Sequence, residues 1–198
     1  MNVAILKYNA GNICSVVNAM KRLGIEPVIT DHAEEIKKAD RVLFPGQGEA
    51  ATTMAYLRDY KLDKLLCELT QPVLGICIGQ QLMCTHSEEG DVDCLGIFDA
   101  TVKRFKPTLQ EEKVPHMGWN NLVRYKGELL KELPENPFVY FIHSFYVPVT
   151  EQTIAITNYI LPFSAAMHKD NFYATQFHPE KSGSIGETIL QNFLDLTI

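Results

Sequence analysis

Apolar positions in the first half of the chain follow two alternating rhythms. Short continuous runs at residues 3–6, 27–30, 42–44 and 72–76 read as strands buried on both faces, where no polar alternation is expected. Between them the apolar residues fall at helical spacing: 13–23, closed by Gly24 as a C-cap, then 33–39, 49–69 in two pieces, and 78–86. This β-α-β-α order predicts an α/β fold with a mostly parallel central sheet covered by helices on both faces. The second half is less regular. Residues 101–105, 139–142, 154–157, 165–168 and 173–176 read as strands, and 186–196 as a closing amphipathic helix. No internal repeat, low-complexity stretch or long linker intervenes, so a single domain over 1–198 is expected.

Composition narrows the class. A chain of 198 residues with 46% apolar and 21% charged residues can bury a full core without cross-links. Its net charge of -6 disfavours nonspecific binding to nucleic acid or an anionic membrane. No signal peptide or transmembrane span is apparent. The five cysteines are odd in number and no pair has C-x-x-C spacing, which argues against a disulfide framework or a zinc ribbon and for a reducing cytoplasm. No metal or other cofactor is expected.

Chemistry concentrates in three places. In Gly75-Ile76-Cys77-Ile78-Gly79-Gln80-Gln81 a buried strand runs straight into a helix, with a cysteine at the corner and a glycine two residues to either side. That is the layout of a nucleophile elbow with Cys in place of Ser. The helix N-terminus would favour a thiolate, and the Ile78 N–H would face a reacting carbonyl as an oxyanion donor. A lone cysteine is ordinarily inert packing. That reading is kept for Cys14, Cys67, Cys84 and Cys94, and the strand–helix corner overrides it for Cys77. Of six histidines, His178 in Phe177-His178-Pro179-Glu180 follows a strand end, where ligands meet a parallel sheet. Glu180 can fold back to orient its imidazole. Alone, H-x-E is equally consistent with a surface turn; beside the cysteine elbow it points to a base and its orienter. His143 is the second candidate for the base. Pro45-Gly46-Gln47-Gly48 follows the third strand and should reach the same edge, offering backbone N–H groups where a plain turn is the alternative. It lacks the length and the lysine of a phosphate-binding P-loop.

These three motifs, in this order and spacing, resemble the class I (triad) glutamine amidotransferases over essentially the whole chain. The resemblance implies a flavodoxin-like three-layer α/β fold and hydrolysis of L-glutamine by Cys77, His178 and Glu180. It implies an oxyanion hole from Gln47, Gly48 and Ile78, and glutamine binding by Gly46, Gly48, Gln81, Glu89, Ser144 and Phe145. Glu89 stands twelve places after Cys77, as the acidic residue that receives the substrate ammonium does in the family. Phe145 stands where many relatives have Tyr. Val114-Pro115-His116-Met117-Gly118-Trp119-Asn120, His178 to Gly183, and Asn9-Ala10-Gly11-Asn12 resemble the branch whose glutaminase subunits serve imidazole glycerol phosphate synthesis. That branch implies a heterodimer with a (β/α)8-barrel cyclase subunit, which uses the ammonia to make imidazole glycerol phosphate and an aminoimidazole carboxamide ribotide. With no synthetase domain in the chain, the ammonia user is expected to be a separate protein. Asn12, His116, Met117, Gly118, Trp119, Asn120, Tyr140 and Lys181 are assigned to the partner interface. Trp119 is equally readable as a core residue.

Three other readings compete. Sister amidotransferases of the pyridoxal phosphate, anthranilate and guanylate systems lack the Pro115 to Asn120 signature. A paralogous subunit feeding surface-sugar amidation shares it. A flavodoxin-like cysteine hydrolase or chaperone would have the elbow without a use for Gln81 and Glu89.

Overall fold

The strand-like runs of the first half assemble around one sheet. The structure, a computed structural model, describes residues 1–8 and 13–197, so the Asn12 expectation lies outside the described residues. Strands β1 (Val3–Leu6), β2 (Val28–Thr30), β3 (Arg41–Phe44) and β4 (Val73–Ile76) alternate with helices α1 (Ile13–Arg22), α2 (Ala33–Lys38), α3 (Ala50–Asp59), α4 (Leu62–Glu68) and α5 (Ile78–Leu82). Gly24, at φ +78°, ends α1 as expected, and the Ile25 N–H bonds back to the Met20 carbonyl at 3.0 Å. The 49–69 stretch is divided in two by Lys61, in the left-handed region at φ 59°.

The second half adds β5 (His86–Ser87), β6 (Val92–Asp93), β7 (Thr101–Arg104), β8 (His116–Asn121), β9 (Arg124–Tyr125), β10 (Phe138–His143), β11 (Phe145–Tyr146), β12 (Thr153–Asn158), β13 (Pro162–Lys169), β14 (Phe172–Thr175) and α6 (Gly183–Leu194). The central sheet runs β2-β1-β3-β4-β14-β13-β12-β9. Its pairs from β2 to β14 are parallel and those from β14 to β9 antiparallel. A smaller four-stranded sheet (β11-β7-β5-β6) and a two-stranded ribbon (β10-β8) lie beside it.

Why the strands show no alternation is plain from their two faces. Val3 and Ile5 pack in one cluster with α1 and α6, through Val16, Met20, Ile189 and Phe193. Ala4 and Leu6 pack in the other with α2 to α5, through Ile36, Met54, Leu66 and Leu82. Every position of β1 and β4 is buried. Three layers are therefore built, and the C-terminal ends of β3, β4 and β14 come to one edge, next to the place where the order reverses around β1.

Two expectations are corrected. The helix expected over 78–86 stops at Leu82. The amide of β-branched Thr85 turns away to the Ala100 carbonyl (3.0 Å) and its hydroxyl bonds the same oxygen (2.8 Å), so the chain leaves as strand β5. Residues 116–121, read only as a motif, form strand β8.

Candidate active site

At the end of β4, Cys77 adopts φ 56° and ψ −107°, a conformation that L residues hold only under constraint. The constraint is visible: the Cys77 N–H donates to the Thr175 carbonyl of β14 at 2.7 Å, and the Cys77 carbonyl accepts from Gln80 N at 3.1 Å. The corner also needs Gly79, because a Cβ there would lie 2.1 Å from the Phe44 carbonyl oxygen. The thiol, 8% exposed, reaches the Ile142 carbonyl at 3.8 Å. As the first residue of α5, Ile78 has no carbonyl one turn earlier for its N–H.

His178 follows β14 and is held by its backbone. Its N–H donates to the Tyr140 carbonyl of β10 at 2.9 Å, and its carbonyl accepts from the Ser182 hydroxyl at 2.7 Å. Ser182 Oγ in turn accepts from Tyr140 N at 3.0 Å, so the ribbon and the His178 loop are stitched together. His178 Nδ1 donates to Glu180 Oε1 at 2.7 Å, with both side chains almost wholly buried. Burial disfavours a charged imidazole, yet negative charge on Cys77 and the Glu180 carboxylate outweigh it and raise the His178 pKa to about 10. Its Nε2 is buried with no hydrogen-bond partner among the described residues. His178 and Cys77 both line a cleft of about 350 Å³.

That cleft collects most of the residues singled out from the sequence: Gly46, Gln47, Gly48, Ile78, Gln81, Glu89, Ser144 and Phe145. Gly46 is required by close approach and not by an unusual dihedral, since a Cβ would lie 1.9 Å from Ile78 Cγ2. The buried Tyr8 hydroxyl donates to the Pro45 carbonyl and tethers the loop. Gln81 Nε2 donates to the Phe145 carbonyl (3.1 Å) and to Gln176 Oε1 (2.9 Å). Glu89 Oε2 accepts from Ala50 N at 3.0 Å; burial, with Glu49 nearby, pushes its carboxyl pKa up against that bond.

Gln176 was missed from the sequence. Fully buried beside Cys77, its Nε2 reaches the Cys77 Sγ at 3.7 Å. A polar residue closing an otherwise apolar strand just before Phe177-His178 was the available signal. His143 lines the cleft too, but its Nδ1 is spent on the Phe145 carbonyl (2.7 Å), and burial lowers its pKa to about 3. It is no base for Cys77.

Strand alternation splits the residues expected at the partner interface. Met117 and Trp119 are 64% and 55% exposed, which removes the core reading of Trp119. Trp119 pairs across the ribbon with Tyr140, over whose ring Lys181 Nζ sits at 5.9 Å. His116 points the other way. It is 4% exposed and stacked on Phe141 and Tyr159, so the isolated chain does not present it to a partner. Asn120, on the same inner side, bonds His116 and the Asn158 carbonyl. Gly118 has the parity of His116 and is half-buried. The expectation of inert packing for the remaining cysteines holds for Cys84, which is fully buried. Cys14 and Cys67 are exposed, and Cys94 is half-buried, so none of these three is core. No group of three or more His, Cys, Asp or Glu converges as a metal site among the described residues.

A strained cysteine corner, a buried His–Glu pair and a cleft lined by Cys77 and His178 make up the arrangement that cysteine-dependent acyl transfer requires. In agreement, residues 5–196 match the model of the glutamine amidotransferase class-I family, and the chain belongs to that family. Within it, the chain is 64% identical to imidazole glycerol phosphate synthase subunit HisH of Bacteroides fragilis over 196 residues, covering 99% of this chain and 100% of that one. It is 43% identical to the subunit of the same name from Escherichia coli, again over 99% and 100% of the two chains. Among solved structures, PurLQS from Thermotoga maritima superposes with a TM-score of 0.72 at 14% identity, over 98% of this chain and 97% of that one, a likeness of fold. Among the described residues no helix is long and apolar enough to cross a membrane.

Proposed function

We propose that the chain, read as one domain over residues 1–198, hydrolyses L-glutamine to glutamate and ammonia and delivers the ammonia to a (β/α)8-barrel cyclase subunit in the cytoplasm, for imidazole glycerol phosphate synthesis in histidine biosynthesis. The observation that carries the chemistry is Cys77, strained at the strand–helix corner, in one cleft with a His178 whose Nδ1 is fixed by Glu180 at 2.7 Å. The observation that carries the pathway is 64% identity to a HisH subunit over nearly the whole chain.

The steps follow from the geometry. Cys77 Sγ attacks the side-chain amide carbon of glutamine, and negative charge develops on the carbonyl oxygen. The Ile78 N–H and an N–H of the Gln47–Gly48 loop receive it. His178 donates a proton to the leaving nitrogen, the C–N bond breaks, and a γ-glutamyl thioester remains. The neutral imidazole then takes a proton from water, whose oxygen attacks the thioester, and glutamate leaves as sulfur recovers its electrons. Glu180 holds the imidazole upright throughout. Gln81, Glu89 and the Ser144–Phe145 backbone hold the amino-acid end. The outer face of the β8–β10 ribbon, with Met117, Trp119, Tyr140 and Lys181, is the docking face for the cyclase.

A free glutaminase would waste glutamine, so the lone chain should be nearly silent. One oxyanion donor is worth roughly a hundred- to a thousandfold in rate, enough for the Gln47–Gly48 peptides to gate turnover on docking. Steady-state glutamine hydrolysis by the chain alone, with the cyclase, and with the cyclase carrying its nucleotide ligand tests this. A large rise at the last step is expected, and full activity of the chain alone would overturn the gating.

A further inference from the structure

From the cleft wall at His143 a largely buried chain of hydrogen bonds runs inward, and the chemistry above does not use it. His143 Nδ1 lies 2.7 Å from the Phe145 carbonyl oxygen, which can only accept, so Nδ1 carries the proton. His143 is neutral in its buried position, so its Nε2 is a lone pair, and His116 Nδ1, 3.0 Å away, must be the donor to it. His116 Nε2 is then an acceptor in its turn, and the Asn120 amide nitrogen stands 3.3 Å from it. Asn120 is itself oriented: its nitrogen also donates to the Asn158 carbonyl at 2.9 Å, and its oxygen accepts from Asn121 N at 2.9 Å. Each atom in the series has one role, and polarity runs one way, from strand β8 to the Phe145 carbonyl. The two histidines sit directly opposite each other across the β8–β10 ribbon, between Phe105, Phe141 and Phe163.

The end of the series is the part that bears on function. The Phe145 carbonyl accepts from both His143 Nδ1 and Gln81 Nε2, and the Ser144 carbonyl accepts from Phe105 N at 3.0 Å. Both carbonyls of the cleft-lining segment are thus committed to the protein. We propose that His116 and His143 are positioning residues: as two neutral, Nδ1-protonated imidazoles in series, they lock the Ser144–Phe145 backbone in the orientation that receives the amino-acid end of glutamine. The proposal rests on the glutaminase reading for its substrate, and for its tautomers on the hydrogen-bond geometry together with the burial that keeps both rings neutral.

Two measurements on the chain assembled with its cyclase test it. In the first, ¹⁵N-histidine spectra of the wild type should show His116 and His143 as neutral Nδ1–H tautomers at pH 7. A proton on Nε2 of either ring, or a charged ring, overturns the series whatever the substrate. In the second, glutamine KM and kcat are read beside the rate at which iodoacetamide alkylates Cys77, a reagent with no amino-acid end to bind. His143→Phe should raise KM about tenfold while kcat and the alkylation rate stay within about threefold. An unchanged KM, or a loss of kcat and of alkylation rate as large as the rise in KM, overturns the proposal. If His143→Phe fails to fold, His143→Asn against His143→Gln decides. Asn places its amide where Nδ1 stands and should retain the lower KM, and the reverse order overturns the assignment. A wild type that hydrolyses no glutamine in any state would defeat the glutaminase reading and leave the tautomer result standing.

Discussion

His178 and His143 line the same cleft, are 2% and 5% exposed, and hold protons in opposite ways. His178 is pushed up to about 10 and His143 down to about 3. Desolvation acts on both in the same direction, against charge. What separates them is the group each meets. His178 has first the negative charge of nearby Cys77, and after that the Glu180 carboxylate at Nδ1. His143 has only a peptide carbonyl at Nδ1, which favours the charged ring too weakly to offset burial, and its neighbours His116 and His178 repel a second positive charge. Burial alone therefore does not make a catalytic base. The imidazole held charged is the one that meets Cys77 and a carboxylate, and the one given only a carbonyl stays a neutral, fixed dipole.

Removing the Cys77 thiol, the proposed nucleophile, breaks the comparison most completely. Cys77→Ala should abolish glutamine hydrolysis while the assembled enzyme still uses added ammonia, and it should also lower the His178 pKa, readable by NMR titration. Loss of hydrolysis with the His178 titration unmoved would mean that Cys77 does not hold the imidazole charged. Next in size is the pair His178→Ala and Glu180→Gln. The first should cost several powers of ten in kcat. The second keeps a hydrogen bond without the charge, and should cost less, on the order of 10² to 10⁴. It should also make His178 titrate more like His143. A Glu180→Gln enzyme at full rate would remove Glu180 from the mechanism.

The two environments also predict opposite pH arms of stability. His178 titrates above its unfolded value of about 6.5, so its contribution is complete below that pH and is lost as pH rises through about 10. His116 and His143 titrate below it, at about 4 and about 3. The unfolded chain binds their protons first, so stability erodes as pH falls from about 6.5 toward those values. Urea-unfolding midpoints from pH 4 to pH 10 would read both arms. Glu180→Gln should flatten the alkaline arm and His143→Phe the acid arm, and the same response in both variants would refute the distinction.

Much of the Cys77 region could be read from sequence, and far less of the ribbon. In the parallel half, strands buried on both faces give unbroken apolar runs, and the corner demands glycines at fixed offsets, so β4, Cys77 and Gly79 announce themselves. His178 was legible for the same reason, as the residue after a strand. Strand β8 was not, because His116-Met117-Gly118-Trp119-Asn120-Asn121 carries exposed Met and Trp outward and polar residues inward, the inverse of the usual alternation. Without the strand there was no period of two to separate Trp119 from His116, and both were assigned to the interface. The helix from Ile78 reads too long because Met83 and Cys84 continue the apolar content beyond its end at Leu82, before Thr85 is drawn to Ala100. The missing information was tertiary in each case.

The smallest expected effect is the one that sharpens the contrast between the two faces of that strand. Trp119 is 55% exposed and its ring meets Tyr140 edge-on at 6.1 Å, so the isolated chain buries little of it. Trp119→Ala should change stability by no more than about 0.5 kcal/mol, as for an ordinary surface substitution. His116→Ala, three residues earlier on the inner face, removes a stacked ring and leaves His143 Nε2 without its donor. That should cost about 2–4 kcal/mol. Binding reverses the order. A half-exposed Trp beside a Tyr and a Lys is the kind of anchor that dominates an interface, so Trp119→Ala should weaken cyclase association by at least tenfold in titration calorimetry. His116→Ala should act on association only through loss of the folded ribbon. If Trp119→Ala unfolds the chain, or leaves the complex untouched, the outward face of β8 is not the docking surface.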